Sequence, residues 1–253
     1  MTTWNALILA GDRGPSDPVA QAAGVPTKAF APIAGRPMIE YVVDALRASG
    51  RIGEIGVSIA ADAPALPDGL IRLDMGPTPA TSAAAGVGAM GTPLLITTAD
   101  HPLLTSAMVV DFLTAFETSG AEAAAACSLQ NVVEQAGNDA RRTYLKFSDG
   151  WVSGCNLFAL RTPGAVAAVE FWKDIEAHRK KPLTMARKIG LWPLALYAMK
   201  RLSRDGVASH IGNKIGVSAT TIALNHPNAA HDVDKAADMA FAERKLRAAA
   251  AGE

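Results

Sequence analysis

The chain has 253 residues, 49% of them hydrophobic and 19% charged, enough for one α/β domain, 1–253, with a substantial core. Its 24 basic and 24 acidic residues cancel, so there is no global field for a polyanion and nucleic acid is not an expected partner. Cys127 and Cys155 form no CxxC pair, which argues against a zinc site or a disulfide framework.

The opening MTTWNALILAGD lacks the basic start and long apolar core of a secretory signal, and no later run has the length of a membrane span. The expected compartment is the cytoplasm. Residues 5–10 form a short apolar run stopped by Gly11, the pattern of a buried parallel strand entering a tight turn. Residues 12–27, rich in Gly, Pro, Asp and Ala, read as a loop. Residues 37–49 place Met38, Ile39, Val42, Val43 and Leu46 at helical spacing, with Pro37 in the first turn.

Residues 55–60 are the next predicted strand, 81–90 a helix of small residues, and 93–98 (PLLITT) another buried strand. An amphipathic helix follows at 106–118. Residues 121–129 are assigned to a strand despite their alanines, because the alternation of elements requires one there. A further strand covers 151–160. The region 163–225 reads as a helical, locally basic insertion or acceptor-side subregion, and its cations cluster within 173–204. A last helix spans 235 to about 250. Strands alternating with helices from the start predict a Rossmann-like α/β fold with a mostly parallel central sheet and helices on both faces.

Four segments carry polar chemistry. LILAGDRG (7–14) is a strand ending in a glycine turn, where backbone N–H groups can cradle phosphates beside the guanidinium of Arg13. VPTKAFAPIAGRPMIEYVVDAL (25–46) sets Lys28 between a loop and an apolar segment. In LLITTADHPLLT (94–105) Asp100 stands at the carboxyl end of a strand, where open α/β sheets bind ligands and where a carboxylate suits magnesium. HDVDKAADMAFAE (231–243) presents Asp232 and Asp234 two residues apart, ahead of a helix. Each has a plainer reading, as a loop lysine or as helix-capping aspartates.

Together these segments resemble the MobA-like NTP transferases, a superfamily of GT-A-like nucleotidyltransferases that includes molybdenum cofactor guanylyltransferase and methylerythritol phosphate cytidylyltransferase. The family pattern LAGG-x-G-x-R, PK-x-L and G-x-PM-I-x-Y is matched by Leu9-Ala10-Gly11, Pro26-Thr27-Lys28 and Gly35-Arg36-Pro37-Met38-Ile39-Glu40-Tyr41. Asp12 replaces the second glycine, the loop before Lys28 is longer, and Lys235-Ala236 stand where the closing motif has Thr-Pro.

The resemblance implies nucleotide contacts at Leu9, Ala10, Gly11, Asp12, Arg13 and Lys28, with Lys28, Arg13 and Asp100 catalytic. It implies Mg²⁺ on Asp100 and Asp234, with Asp232 a further ligand. In GPTPATSAAAGVGAM (76–90), Gly76, Thr78 and Ser82 resemble the part that reads the base, and in GCNLFALR (154–161) Asn156 resembles the acceptor-side asparagine. The implied reaction joins an NMP, from CTP or GTP, to a small phosphorylated acceptor such as a sugar, polyol or lipid head-group phosphate, releasing pyrophosphate. A GT-A glycosyltransferase and a non-catalytic nucleotide-binding regulator are the alternatives. The basic amphipathic stretch 177–204 suggests a peripheral membrane contact, a phosphate-gripping wall or a plain solvated face.

Overall fold

The computed structural model describes residues 2–12, 14–137, 143–178, 181, 184 and 188–252. Its strands are β1 (Trp4–Leu9), β2 (Pro32–Ile33), β3 (Arg36–Pro37), β4 (Ile52–Ile59), β5 (Ile71–Asp74), β6 (Leu94–Thr98), β7 (Ala123–Leu129), β8 (Leu145–Phe147), β9 (Gly150–Leu160) and β10 (Ala219–Ala223). Its helices are α1 (Pro18–Ala23), α2 (Met38–Ala48), α3 (Pro79–Met90), α4 (Ser106–Ser119), α5 (Gln130–Val133), α6 (Val166–His178), α7 (Leu191–Ala198), α8 (Arg204–Ile215) and α9 (Ala236–Ala251).

The main sheet runs β10-β7-β9-β6-β1-β4-β5, with β8 paired to β9. Neighbours are parallel except at β9, which is antiparallel to β6, β7 and β8. This is the expected mostly parallel α/β fold.

The two-residue period of β1 builds both sides of the sheet. Trp4, Ala6 and Ile8 join one apolar cluster with Ile39, Val42 and Leu46 of α2 and Val109, Phe112 and Phe116 of α4. Leu7 and Leu9 point the other way, to Ala83, Val87 and Met90 of α3 and Val169 of α6. Each such large apolar side chain removed from water contributes about 1.5–3 kcal/mol. α3 reaches the sheet because it is built of small residues. A Cβ on Gly86 would stand 2.3 Å from Cδ2 of Leu7, so only glycine lets the helix approach this closely.

A third cluster joins Val19 of α1, Ile33 of β2, Met38 of α2, Leu103, Val233 and Phe241 of α9. It clamps the Lys28 segment and the segment before α9 to the same end of the sheet.

Several sequence expectations need correction. The 12–27 loop contains α1, started by the carboxylate of Asp17, which accepts from Val19 N–H at 2.9 Å and Ala20 N–H at 3.1 Å. The helix expected over 37–49 does not take Pro37 into its first turn: Arg36–Pro37 pairs with β2 and α2 begins at Met38. The region 163–225 is not helical throughout. It ends in β10, a five-residue edge strand parallel to β7, too short and weakly alternating for its period to show. Strands β5 and β8 escaped notice for the same reason.

Candidate active site

The order of strands reverses at β1. The chain passes from β1 to β4 and β5 on one side, then crosses back to β6 on the other. A crevice at such a switch point, beyond the carboxyl ends of the strands, is where open α/β sheets hold ligands. Here a cleft of about 430 Å³ opens there, between the turn after β1, the loop before α3, the end of β6 and the segment before α9.

Lys28 sits at the floor. Its ammonium donates to Asp100 Oδ2 at 2.7 Å and to Asp234 Oδ1 at 2.9 Å, joining residues 206 apart in sequence. The lysine side chain is 9% exposed, that of Asp100 22% and that of Asp234 57%. Burial alone would lower the Lys28 pKa; the charges and hydrogen bonds of the two carboxylates outweigh it and hold the ammonium above its ordinary value.

The backbone fixes all three groups. Asp100 follows β6, where Ala99 N–H donates to the Leu9 carbonyl at 2.9 Å and so ties the strand ends together. Val233 N–H donates to the Asp100 carbonyl at 2.8 Å, which brings Asp234 alongside. Asp12 holds the lysine from behind, its two carboxylate oxygens accepting from Gly14 N–H and Lys28 N–H, each at 2.7 Å. The residue that replaces the family's second glycine is thus a clamp for the longer loop.

The other end of the cleft is built on the start of α3. Thr78 caps it and forms a reciprocal pair with Thr81, and Pro79 opens the first turn. Gly76 N–H donates to Ser82 Oγ at 2.9 Å, and a Cβ on Gly76 would lie 2.5 Å from Thr81 Oγ1. The loop therefore folds tightly onto the helix, and the buried Ser82 hydroxyl is its anchor. Across from it, Oε2 of Glu176 on α6 accepts from Ala80 N–H at 3.1 Å, which brings a carboxylate into the cleft wall.

Among the described residues no three His, Cys, Asp or Glu side chains cluster as a preformed metal cage. Magnesium does not require one, since it takes one or two carboxylates and completes its shell with water and substrate phosphates. Asp100 and Asp234 could supply such a pair, and Asp100 Oδ1 is buried without a hydrogen-bond partner. An orphaned carboxylate oxygen beside a second carboxylate is the donor set a hard cation takes.

Of the residues singled out from the sequence, Leu9, Ala10, Gly11, Asp12, Lys28, Gly76, Thr78, Ser82, Asp100 and Asp234 all line this cleft. Arg13 lies outside the described residues. Asp232 and Asn156 are not among the lining residues. The charge of Asp232 is felt by the buried Cys155 thiol. Asn156 takes a left-handed backbone, φ 50°, where the β7–β9 ladder shifts register. Asp17, Met75 and Glu176 also line the cleft, and sequence reasoning missed them. Asp17 ahead of Pro18 carried a helix-cap signal; Glu176 carried none.

A mostly parallel sheet with its cleft at this switch point is the architecture of the GT-A-like nucleotidyltransferases. A hypothetical transferase from Thermus thermophilus superposes with a TM-score of 0.82 at 26% identity, over 94% of this chain and 100% of that one. The 2-C-methyl-D-erythritol 4-phosphate cytidylyltransferase of the same species matches at 0.54 and 16% identity, over 97% and 100%. A CMP:2-keto-3-deoxy-manno-octonic acid synthetase in complex with CTP matches at 0.54 and 13% identity, over 100% and 99%. No curated protein matches the sequence. The MobA-like NTP transferase domain matches residues 6–204, so the chain belongs to that family and is a nucleotidyltransferase.

Proposed function

We propose that the chain is a magnesium-dependent nucleotidyltransferase that transfers an NMP from CTP or GTP to a small phosphorylated acceptor and releases pyrophosphate. The observation that carries this reading is the meeting of Lys28, Asp100 and Asp234 at the floor of the cleft. Transfer requires an acceptor phosphate oxygen to approach the α-phosphorus while pyrophosphate leaves on the opposite side. Two anions must therefore be held together, and fixed positive charge lowers that barrier.

Lys28 is the fixed cation, kept protonated by its surroundings and aimed by the Asp12 clamp. Asp100 and Asp234 would hold Mg²⁺, whose chemistry is to neutralise charge on the phosphates. The turn at Gly11 and the loop at Gly76 bound the space for the nucleotide, and Arg13 is a further phosphate contact by its place in the sequence. An acceptor phosphate is already ionised at neutral pH, so a general base is not required. At the far end Glu176 is a hydrogen-bond acceptor, which suits the exocyclic amino group of cytosine or guanine and opposes the carbonyl that uracil presents there. Asn156 remains the proposed acceptor-side contact, and Asp232 a further proposed Mg²⁺ ligand.

Incubation with each NTP, Mg²⁺ and a panel of sugar and polyol phosphates, followed by pyrophosphate release, tests the reaction. Asp100→Ala is expected to lower turnover by on the order of 10²–10³-fold or more with an unchanged circular dichroism spectrum. Pyrophosphate release at the wild-type rate by that variant would remove Asp100 from the site.

A further inference from the structure

Helix α7 has an outward face with no polar residue. Leu191 is 73% exposed, Trp192 70% and Met199, which ends the helix, 53%; Ala195 and Ala198 between them are also exposed. At 100° per residue these five positions form one continuous stripe. The inward face is apolar as well, with Pro193 buried and Leu194, Leu196 and Tyr197 partly so. A helix apolar all round belongs in a core or in a lipid environment, and α7 lies at the surface.

The patch extends onto the β8–β9 hairpin. Tyr197 packs edge-on against Phe147, ring centroids 5.8 Å apart, and its hydroxyl accepts from Lys146 N–H at 3.2 Å. That hairpin adds Leu145, 52% exposed, and Trp151, 42% exposed, with the Lys146 ammonium 4.0 Å over the Trp151 ring. Lys200 and Arg201 follow α7 directly and are exposed. Two acids of the adjoining segments are engaged in ion pairs: Asp149 with Arg204 at 3.0 Å, and Asp174 with Lys188. The rim of the patch is thus net basic.

We propose that α7 and the β8–β9 hairpin form a docking surface for an anionic phospholipid bilayer. Leu191, Trp192, Met199 and Trp151 insert at the headgroup–acyl boundary while Lys146, Lys200 and Arg201 face lipid phosphates. Exposed tryptophan and leucine ringed by cations are what an in-plane interfacial segment requires. No helix among the described residues is long and apolar enough to cross a membrane, so the contact is with one leaflet. Phe158 of β9 pairs with Ile96 of β6, so the segment from Gly150 to Asn156 runs past the carboxyl end of β6. The docking surface therefore stands at the same end of the sheet as the cleft.

The test is flotation of the purified chain with vesicles of neutral phosphatidylcholine, alone or with about one-third phosphatidylglycerol, at low and high salt. Binding is expected on the anionic vesicles at low salt, with a blue shift of tryptophan emission that Trp192→Ser diminishes. Leu191→Ser with Trp192→Ser should reduce binding at least tenfold, since two large apolar side chains stay in water. Lys200→Glu with Arg201→Glu, which leaves the apolar face intact, should reduce it roughly fivefold or more per charge. Failure of the wild type to float, or equal flotation on neutral vesicles, overturns the proposal. So does a dimer in gel filtration that the Leu191/Trp192 pair dissociates while vesicle binding is absent, because a second copy would then be the occupant.

Discussion

Lys28 illustrates how much chemistry a single side chain takes from its surroundings. A loop lysine in sequence becomes a buried ammonium between two carboxylates, and its charge is what holds Asp100 and Asp234 side by side. Lys28→Met should lower turnover by on the order of 10²-fold, since a fixed cation at the reacting phosphates is lost. It should also leave the acids facing each other, so that added Mg²⁺ raises the melting temperature of the variant more than that of the wild type. An equal Mg²⁺ response in both proteins would separate the lysine from the cation site. At the other end of the cleft, Glu176→Gln replaces one acceptor oxygen by an amide donor. The preference for CTP or GTP over UTP, measured as a ratio of kcat/KM, should fall by roughly tenfold, the effect of one or two kcal/mol of polar recognition. An unchanged ratio would confine Glu176 to holding the start of α3.

At the scale of elements, α3 is the piece on which the site most depends. Its first turn shapes the far wall of the cleft, and its contact at Gly86 sets its depth on β1. Gly86→Ala forces a methyl against Leu7 and should destabilise by about 1–3 kcal/mol in urea unfolding. Thr78→Ala removes the reciprocal cap, for about 1 kcal/mol, and frees the Gly76 loop. If the two sites are independent the double variant loses the sum, and a large departure would mean that loop and helix shift together. The sequence made α2 and α4 visible because their apolar residues repeat at one period along one face, and β6 because it is a short unbroken apolar run. It hid α1 and β10 because six and five residues span too few repeats, and their place is set by neighbours: α1 by the cluster around Phe241, β10 by β7.

Across the whole molecule, the amino-terminal ends of β1 and β4, both interior strands, are tied to α4 by hydrogen bonds and charge. Trp4 Nε1 donates to Glu117 Oε1 at 3.0 Å and the Arg51 guanidinium donates to the same oxygen at 2.6 Å. Burial pushes the Glu117 carboxyl up, but these hydrogen bonds and the charges of Arg51 and Arg161 outweigh it and hold the group below its ordinary value. A depressed acid binds fewer protons folded than unfolded, so its contribution is complete above the unfolded value and is lost as pH falls through the folded one. Wild type should therefore be more stable than Glu117→Gln at pH 7, with the gap closing below about pH 4.5. A gap independent of pH would attribute it to packing alone. Nucleotide binding adds a second global readout: CTP or GTP with Mg²⁺, at about a hundred times Kd, should stabilise the fold by about 2.7 kcal/mol.

The sequence alone determined the alternation of strands and helices, and with it the sheet, because periodicity is a local property of the chain. It also determined which residues had the right chemistry, as the glycine turn, Lys28, Asp100 and Asp234 each stood in a recognisable local pattern. Only the tertiary structure decided which of them meet. Asp234 reaches Lys28 because Val233 is pinned to the Asp100 carbonyl, which carries the next residue alongside. Glu176 enters the cleft from a helix with no motif, and the apolar stripe of α7 faces outward where periodicity by itself would have placed it in the core. Both are consequences of which surfaces found partners when the chain closed on itself, a property of the packed molecule that no short segment contains.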